Sequence, residues 1–243
     1  MITQENPASR LYHILLEAKK QPPSHSIGQV WSNVFKLEPG NTVEVFKIII
    51  SLCNLVDEIK ELIVQDSEID DELYLEHFPK IELVLKASGL TGSWSTVRDN
   101  LDDATLYSLK HCSNHLSKKF LEYRIEADSL EELIQLTNQF IEIVNAKIVN
   151  IKLKRVILDR LESIRNAIVN YRISGLDGLQ KALEVNLGFI YSNKESLRES
   201  CSQDLLEQYS KIVEFLQKVI SVAAKTKSVV GTALNLLKDP NSS

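Results

Sequence analysis

The stretch YSKIVEFLQKVISVAAKTKSVVGTALNLL, residues 209–237, repeats its apolar residues at alternating intervals of three and four. This spacing places them along one stripe of an α-helix, like the a and d positions of a heptad repeat. The stripe, called the C-terminal seam below, consists of Tyr209, Ile212, Leu216, Val219, Ala223, Thr226, Val230, Ala233 and Leu237. The sequence therefore predicts a long C-terminal helix that packs against another helix along its whole length.

Apolar residues recur every three or four positions through almost all of the remaining chain, which predicts an all-α bundle of about eight or nine helices. Residues 1–124 show shorter helical patterns, and residues 125–243 show long heptad-like ones. We expect two subdomains with these bounds, or one continuous domain. Within the first, the wide apolar set of residues 45–63 predicts a central buried helix, and a helix from Asp71 to Leu85 should kink at Pro79.

The composition excludes several classes of protein. With 44% hydrophobic and 25% charged residues, the 243-residue chain is typical of a globular protein. Its net charge of -5 does not provide the basic field of a nonspecific nucleic-acid binder. Three isolated cysteines indicate reduced thiols, and no apolar stretch is long enough to cross a membrane. The polar N-terminus does not resemble a signal peptide, so we expect a cytoplasmic protein.

A pair of histidines is the most specific candidate for a metal-binding site. His111 and His115 are four residues apart, so on a helix they face the same way and could chelate one metal ion. A protein metal site needs at least three ligands, and the spacing fixes no third one. Structural or surface histidines are the favoured interpretation. The sequence carries no recognisable catalytic motif and predicts no cofactor.

The segment from Lys147 to Arg172 holds seven basic and two acidic side chains. It could bind phosphate, nucleic acid or an acidic partner. Apart from Tyr171 at its end, no aromatic residues interleave the charges as stacking platforms would require. We therefore favour a solvated helix face, which could pair with the acidic segment from Asp66 to Glu76.

Three stretches of the sequence are similar to those of a known protein family. They are residues 71–75 (DELYL), residues 103–109 (DATLYSL) and residues 164–175, which contain Ile164-Arg165-Asn166-Ala167-Ile168, Tyr171-Arg172-Ile173 and Gly175. Over most of residues 8 to 190 the chain resembles a family of bacterial all-helical cytosolic proteins with no established activity. The resemblance implies a bacterial cytosolic setting. It implies no functional residue.

The seam can pack inside the monomer, join two subunits, or dock on a membrane or partner. We expect a non-enzymatic helical interaction, scaffold or regulatory protein, which acts by self-association or by binding a protein partner. Its candidate interface is the set Tyr209, Ile212, Leu216, Val219, Ala223, Val230 and Leu237. The alternatives are a metal-dependent enzyme that uses His111 and His115, and a membrane-active effector that inserts residues 219–237 as an amphipathic helix.

Overall fold

The computed structural model describes residues 4–38, 40–86, 89–119, 122–147 and 150–224. The fold is all-α, as the periodicity predicts. Over the described residues the chain divides into two compact units, an N-terminal unit from Gln4 to Lys119 and a C-terminal unit from Glu122 to Ala224. Among the described residues, no helix is long and apolar enough to cross a membrane.

The N-terminal unit begins with a two-residue β-strand, β1 (Gln4–Glu5). Its helices are α1 (Pro7–Lys19), α2 (Ile27–Phe35), α3 (Thr42–Val64), α4 (Asp71–Leu75), α5 (Phe78–Leu85), α6 (Ser95–Arg98) and α7 (Asp103–Leu116). Helix α1 packs against α2, α3 and α7, and α7 also contacts α4 and α5. The core includes both tryptophans of the chain, Trp31 and Trp94, whose buried rings meet edge to face with centroids 6.0 Å apart.

Helix α3 contacts α1, α2, α4 and α5, which makes it the central helix of this unit, as its apolar composition indicates. It is not buried on all sides, however. Val43, Phe46 and Ile50 follow one another at intervals of three and four and are each more than half exposed. The wide apolar pattern therefore includes an outer face that the N-terminal unit leaves uncovered.

The prediction of one continuous, kinked helix from Asp71 to Leu85 is wrong. The structure has two separate helices, α4 and α5, and Pro79 lies in the first turn of α5. Proline is favoured there because the N–H that it lacks would have no helical acceptor in the first turn. Among the described residues, short helices such as α4 and α6 raise the helix count slightly above the predicted number.

The C-terminal unit begins with β2 (Glu122–Tyr123) and contains α8 (Ala127–Lys147), α9 (Ile151–Val169), α10 (Tyr171–Ser192), α11 (Lys194–Ser200) and α12 (Gln203–Ala224). Each of the four long helices contacts two others, in the cyclic order α8, α9, α10, α12. Since short connections join most of them, neighbouring helices run antiparallel, as in a four-helix bundle. Gly175 interrupts α10 near its start with a φ of 58°, a conformation that favours glycine.

Candidate binding cleft between α4 and α7

Helix α4 is short, and side chains fix both of its ends. The Asp70 side chain accepts a hydrogen bond from the backbone N–H of Leu73 and so caps the helix start. Near the other end, the carbonyl oxygen of Tyr74 accepts a 2.9 Å hydrogen bond from Ser108 Oγ on α7. Cys112 Sγ lies 3.7 Å from the same oxygen. Two α7 side chains thus satisfy a carbonyl that a helix of five residues cannot pair internally.

Two residues, Glu76 and His77, connect α4 to α5. The Glu76 side chain is 66% exposed, and its Oε2 lies 3.9 Å from Nε2 of the His77 ring. His77 immediately precedes the first residue of α5. This connection therefore carries one carboxylate and one imidazole to the edge of the gap between α4 and α7.

This gap is a cleft of about 410 Å³, open to solvent. Leu73 and Tyr107, from opposite walls, are 65% and 62% exposed. The lining combines apolar, aromatic and hydrogen-bonding side chains: Leu73, Tyr74, Glu76, His77, Ala104, Tyr107, Ser108 and His111. A concave site with mostly apolar walls and a few convergent polar groups is the usual form of a binding site.

An ion-pair network centred on the buried Asp66 adjoins the wall formed by Tyr74. His115 Nε2 is 2.5 Å from Asp66 Oδ2, and Lys119 Nζ is 2.7 Å from the same oxygen. The backbone N–H of Glu68 also donates to Asp66. The hydrogen bonds from His115 and Lys119 hold the pKa of Asp66 well below its usual range. The Tyr74 ring meets the His115 ring edge to face at 5.6 Å, so this network supports the cleft wall.

The predicted histidine pair lies at this site, but its two members have different surroundings. His111 lines the cleft, whereas the His115 side chain is only 10% exposed and faces Asp66. In the part of the chain that the structure describes, no cluster of three or more His, Cys, Asp and Glu side chains could hold a metal ion. The metal-dependent enzyme stays a prediction, and the geometry assigns His115 a carboxylate partner.

The C-terminal seam lies inside the C-terminal unit over the residues that are described. Tyr209, Ile212, Leu216, Val219 and Ala223 are buried against α8 and α10, while Val230 and Leu237 lie outside the described residues. Val219 and Ala223 also line a groove of about 380 Å³ between the start of α8 and the end of α12. The seam as a partner interface stays a prediction.

Tyr209 is the polar centre of this seam. Its hydroxyl donates a 2.6 Å hydrogen bond to Asn186 Oδ1 on α10, and its ring stacks on Phe140 of α8. Desolvation raises the pKa of Tyr209 far above its usual value. The tyrosine therefore stays neutral and joins three helices of the bundle.

Several side chains of the basic segment have acceptors nearby. Lys147 Nζ lies 3.5 Å from Asp204, Arg165 pairs with Glu162 at 3.1 Å, and Lys154 Nζ donates to the carbonyl oxygen of Asn145. Lys152 and Arg155 are exposed. This arrangement is compatible with the favoured interpretation of a solvated helix face.

Leu73, Tyr107 and His77 are not among the site residues predicted from the sequence. No local motif marks them, because the cleft forms only when α4 packs against α7, about thirty residues further along the chain. The sequence signal nearest to the cleft is the pair of capping residues Asp70 and Asp102, which mark where α4 and α7 begin. Comparison with protein-family models, curated proteins and solved structures finds no match to this chain.

Proposed function

We propose that this chain is a non-enzymatic helical interaction protein, and that the cleft between α4 and α7 binds a basic segment of a protein partner. The observation that carries the proposal is the exposure of Leu73 and Tyr107 on opposite walls of one cleft. Burying apolar surface is favourable by about 25 cal/mol per Å². Exposed large side chains around a concave site are typical anchoring points of protein interfaces.

Charge supports a basic partner. Asp70, Asp71 and Glu72 lie at the start of α4, and Glu76 lines the cleft itself. Lys and Arg are absent from the described cleft lining. Complementary charge raises association rates and excludes acidic partners, which would meet like charge here.

The reactive groups near the cleft favour binding over catalysis. The Ser108 hydroxyl donates to a backbone carbonyl, so a histidine base does not hold it as a nucleophile. Burial raises the pKa of the Cys112 thiol to about 12, which keeps it protonated at neutral pH. His115, which bonds to the Asp66 carboxylate, is largely covered.

Selection from a phage library of random peptides tests this function. The wild-type chain serves as bait, and the variant Leu73→Asp/Tyr107→Ala serves for counter-selection. Both substituted side chains are exposed, so the variant should keep its fold, which circular dichroism checks. A Val185→Asp bait, altered at an exposed position of the C-terminal unit, is the matched control.

We expect peptides that bind the wild-type and Val185→Asp baits but not the double variant, with Lys or Arg next to an apolar residue. Equal enrichment on the wild-type chain and the double variant would overturn the proposal. Cleft-dependent peptides without basic residues would overturn the assignment of a basic partner.

A further inference from the structure

We infer that the cleft between α4 and α7 binds one cationic head group, the ammonium of a lysine or the guanidinium of an arginine from the partner. This inference rests on the proposed function and names the chemistry of its central contact. Four side-chain rings and one carboxylate line the cleft together.

The rings come from Tyr74, Tyr107, His77 and His111. The face of an aromatic ring carries partial negative charge, so a cation placed over it is attracted, more strongly where water is excluded. The edge-to-face contact with His115 orients the Tyr74 ring before any ligand arrives. A preoriented wall reduces the entropy lost on binding.

The charge of the cleft lining favours a positively charged ligand. Glu76 contributes the carboxylate, and its Oε2 lies 3.9 Å from Nε2 of His77, beyond hydrogen-bond distance. Since the described lining contains no lysine or arginine, it has no permanent positive charge to compete for this carboxylate. An incoming ammonium or guanidinium group could therefore bond to it directly.

A purely apolar anchor fits this lining less well. It would cover Glu76, His77 and His111 without replacing the water that solvates them, and desolvated polar groups without partners cost free energy. A lysine or arginine places its methylene stem against Leu73 and Ala104 and its charge near Glu76. The cleft therefore offers a complementary contact to both parts of an amphipathic cationic side chain.

Two small probes of the same shape separate the contribution of charge to binding from that of hydrophobic contact. Choline carries a quaternary ammonium, and 3,3-dimethylbutanol has an uncharged carbon in its place. Binding to the full chain is followed by amide chemical shifts in a ¹H–¹⁵N spectrum. We expect choline to shift the amides of α4 and the first half of α7, with an affinity about tenfold higher than that of the alcohol.

Matched variants test each part of the site. Tyr107→Phe keeps the ring and should bind choline like the wild type, whereas Tyr107→Leu keeps only the apolar bulk and should weaken binding several-fold. Glu76→Gln should also weaken it. Glu61→Gln removes the same charge from an exposed position on α3, outside the cleft, and should have little effect.

Nα-acetyl-lysine amide and Nα-acetyl-arginine amide test whether the cation belongs to a protein. At least one should shift the same amides as choline, and binding of choline alone would overturn the assignment to a side chain. The inference would be overturned if choline and the alcohol bound equally well. It would also be overturned if the Tyr107→Leu and Tyr107→Phe variants bound choline equally well, or if no cation shifted the amides of the cleft. In each case, peptides selected through the cleft would leave the proposed function standing.

Discussion

His115 Nε2 lies 2.5 Å from Asp66 Oδ2, and the two side chains are only 10% and 5% exposed. The contact joins α7 to the loop between α3 and α4. Because Tyr74 packs edge to face on the same histidine, the contact also supports one wall of the cleft. The shape of the cleft therefore depends on a titratable pair that any ligand would touch only indirectly.

We expect Asp66→Asn to make the stability of the chain less sensitive to acid. The hydrogen bonds of His115 and Lys119 lower the pKa of Asp66 below its unfolded value of about 3.9. A carboxyl with a lowered folded pKa stabilises the fold above the unfolded value, and this contribution is lost as the pH falls through the folded pKa. Urea midpoints measured between about pH 6 and about pH 2 should therefore fall less steeply in the variant.

Glu68→Gln is the matched control for this experiment. Glu68 is 3.6 Å from Lys119 but 76% exposed, so its variant should keep the acid slope of the wild type. Parallel curves for Asp66→Asn and the wild type would show that the buried pair does not stabilise the fold.

The hydrogen bond between Tyr209 and Asn186 should be measurable as a coupling free energy. Tyr209→Phe keeps the stacking on Phe140 but leaves Asn186 Oδ1 without its donor, which should cost about 1–3 kcal/mol. In a double-mutant cycle with Asn186→Leu, the two losses should add to more than the loss in the double variant. Urea denaturation provides the free energies of unfolding.

Tyr191→Phe serves as control, since Tyr191 is 71% exposed and its variant should stay within about 0.5 kcal/mol of the wild type. Additive losses in the cycle would mean that the two side chains stabilise the bundle independently.

The same pair shows how far the sequence could predict this molecule. Heptad spacing predicts that Tyr209 faces inward, because the periodicity of a helix fixes which side a residue occupies. It does not predict Asn186 as its partner, since that depends on the register between α10 and α12. Likewise, the sequence predicts helices around Leu73 and Tyr107 but not the cleft that they share. The kink predicted at Pro79 is replaced by a helix start, because proline fits equally well in the first turn of a helix.

The three cysteines should differ in their reactivity towards iodoacetamide at about pH 8. Burial raises the pKa of each thiol. Cys112 is fully buried, whereas Cys53 and Cys201 are partly exposed. Because the thiolate is the reactive species, Cys112 should be alkylated last. Peptide mass spectrometry after brief labelling gives the order in which the three cysteines are alkylated. In urea, where the chain is unfolded, this difference between the cysteines should disappear. Labelling of Cys112 in the folded chain as fast as that of Cys53 would contradict the packing of α7 against α4.

Asn6 should contribute more to stability than an ordinary helix cap. Its Oδ1 accepts from the backbone N–H of Ser9, and its Nδ2 donates to Ser113 O at 2.9 Å and Ser117 Oγ at 3.1 Å. The side chain thus caps α1 and bonds to the end of α7, and the residue is only 2% exposed. Asn6→Ala should cost about 2–4 kcal/mol, the sum of a lost cap and of buried groups left without partners.

Asn41 provides the comparison, because it caps α3 through the backbone N–H of Glu44 in an exposed position. Asn41→Ala should cost only about 1 kcal/mol. Aspartate separates the two roles, since it keeps the acceptor of the cap but loses the amide donor. Asn41→Asp should therefore be nearly neutral, while Asn6→Asp should destabilise because it places a carboxylate against the Ser113 carbonyl. The two buried tryptophans, which lie in the same unit as both caps, report unfolding by fluorescence. Equal effects at the two positions would mean that the bonds from Asn6 to α7 add nothing to the cap.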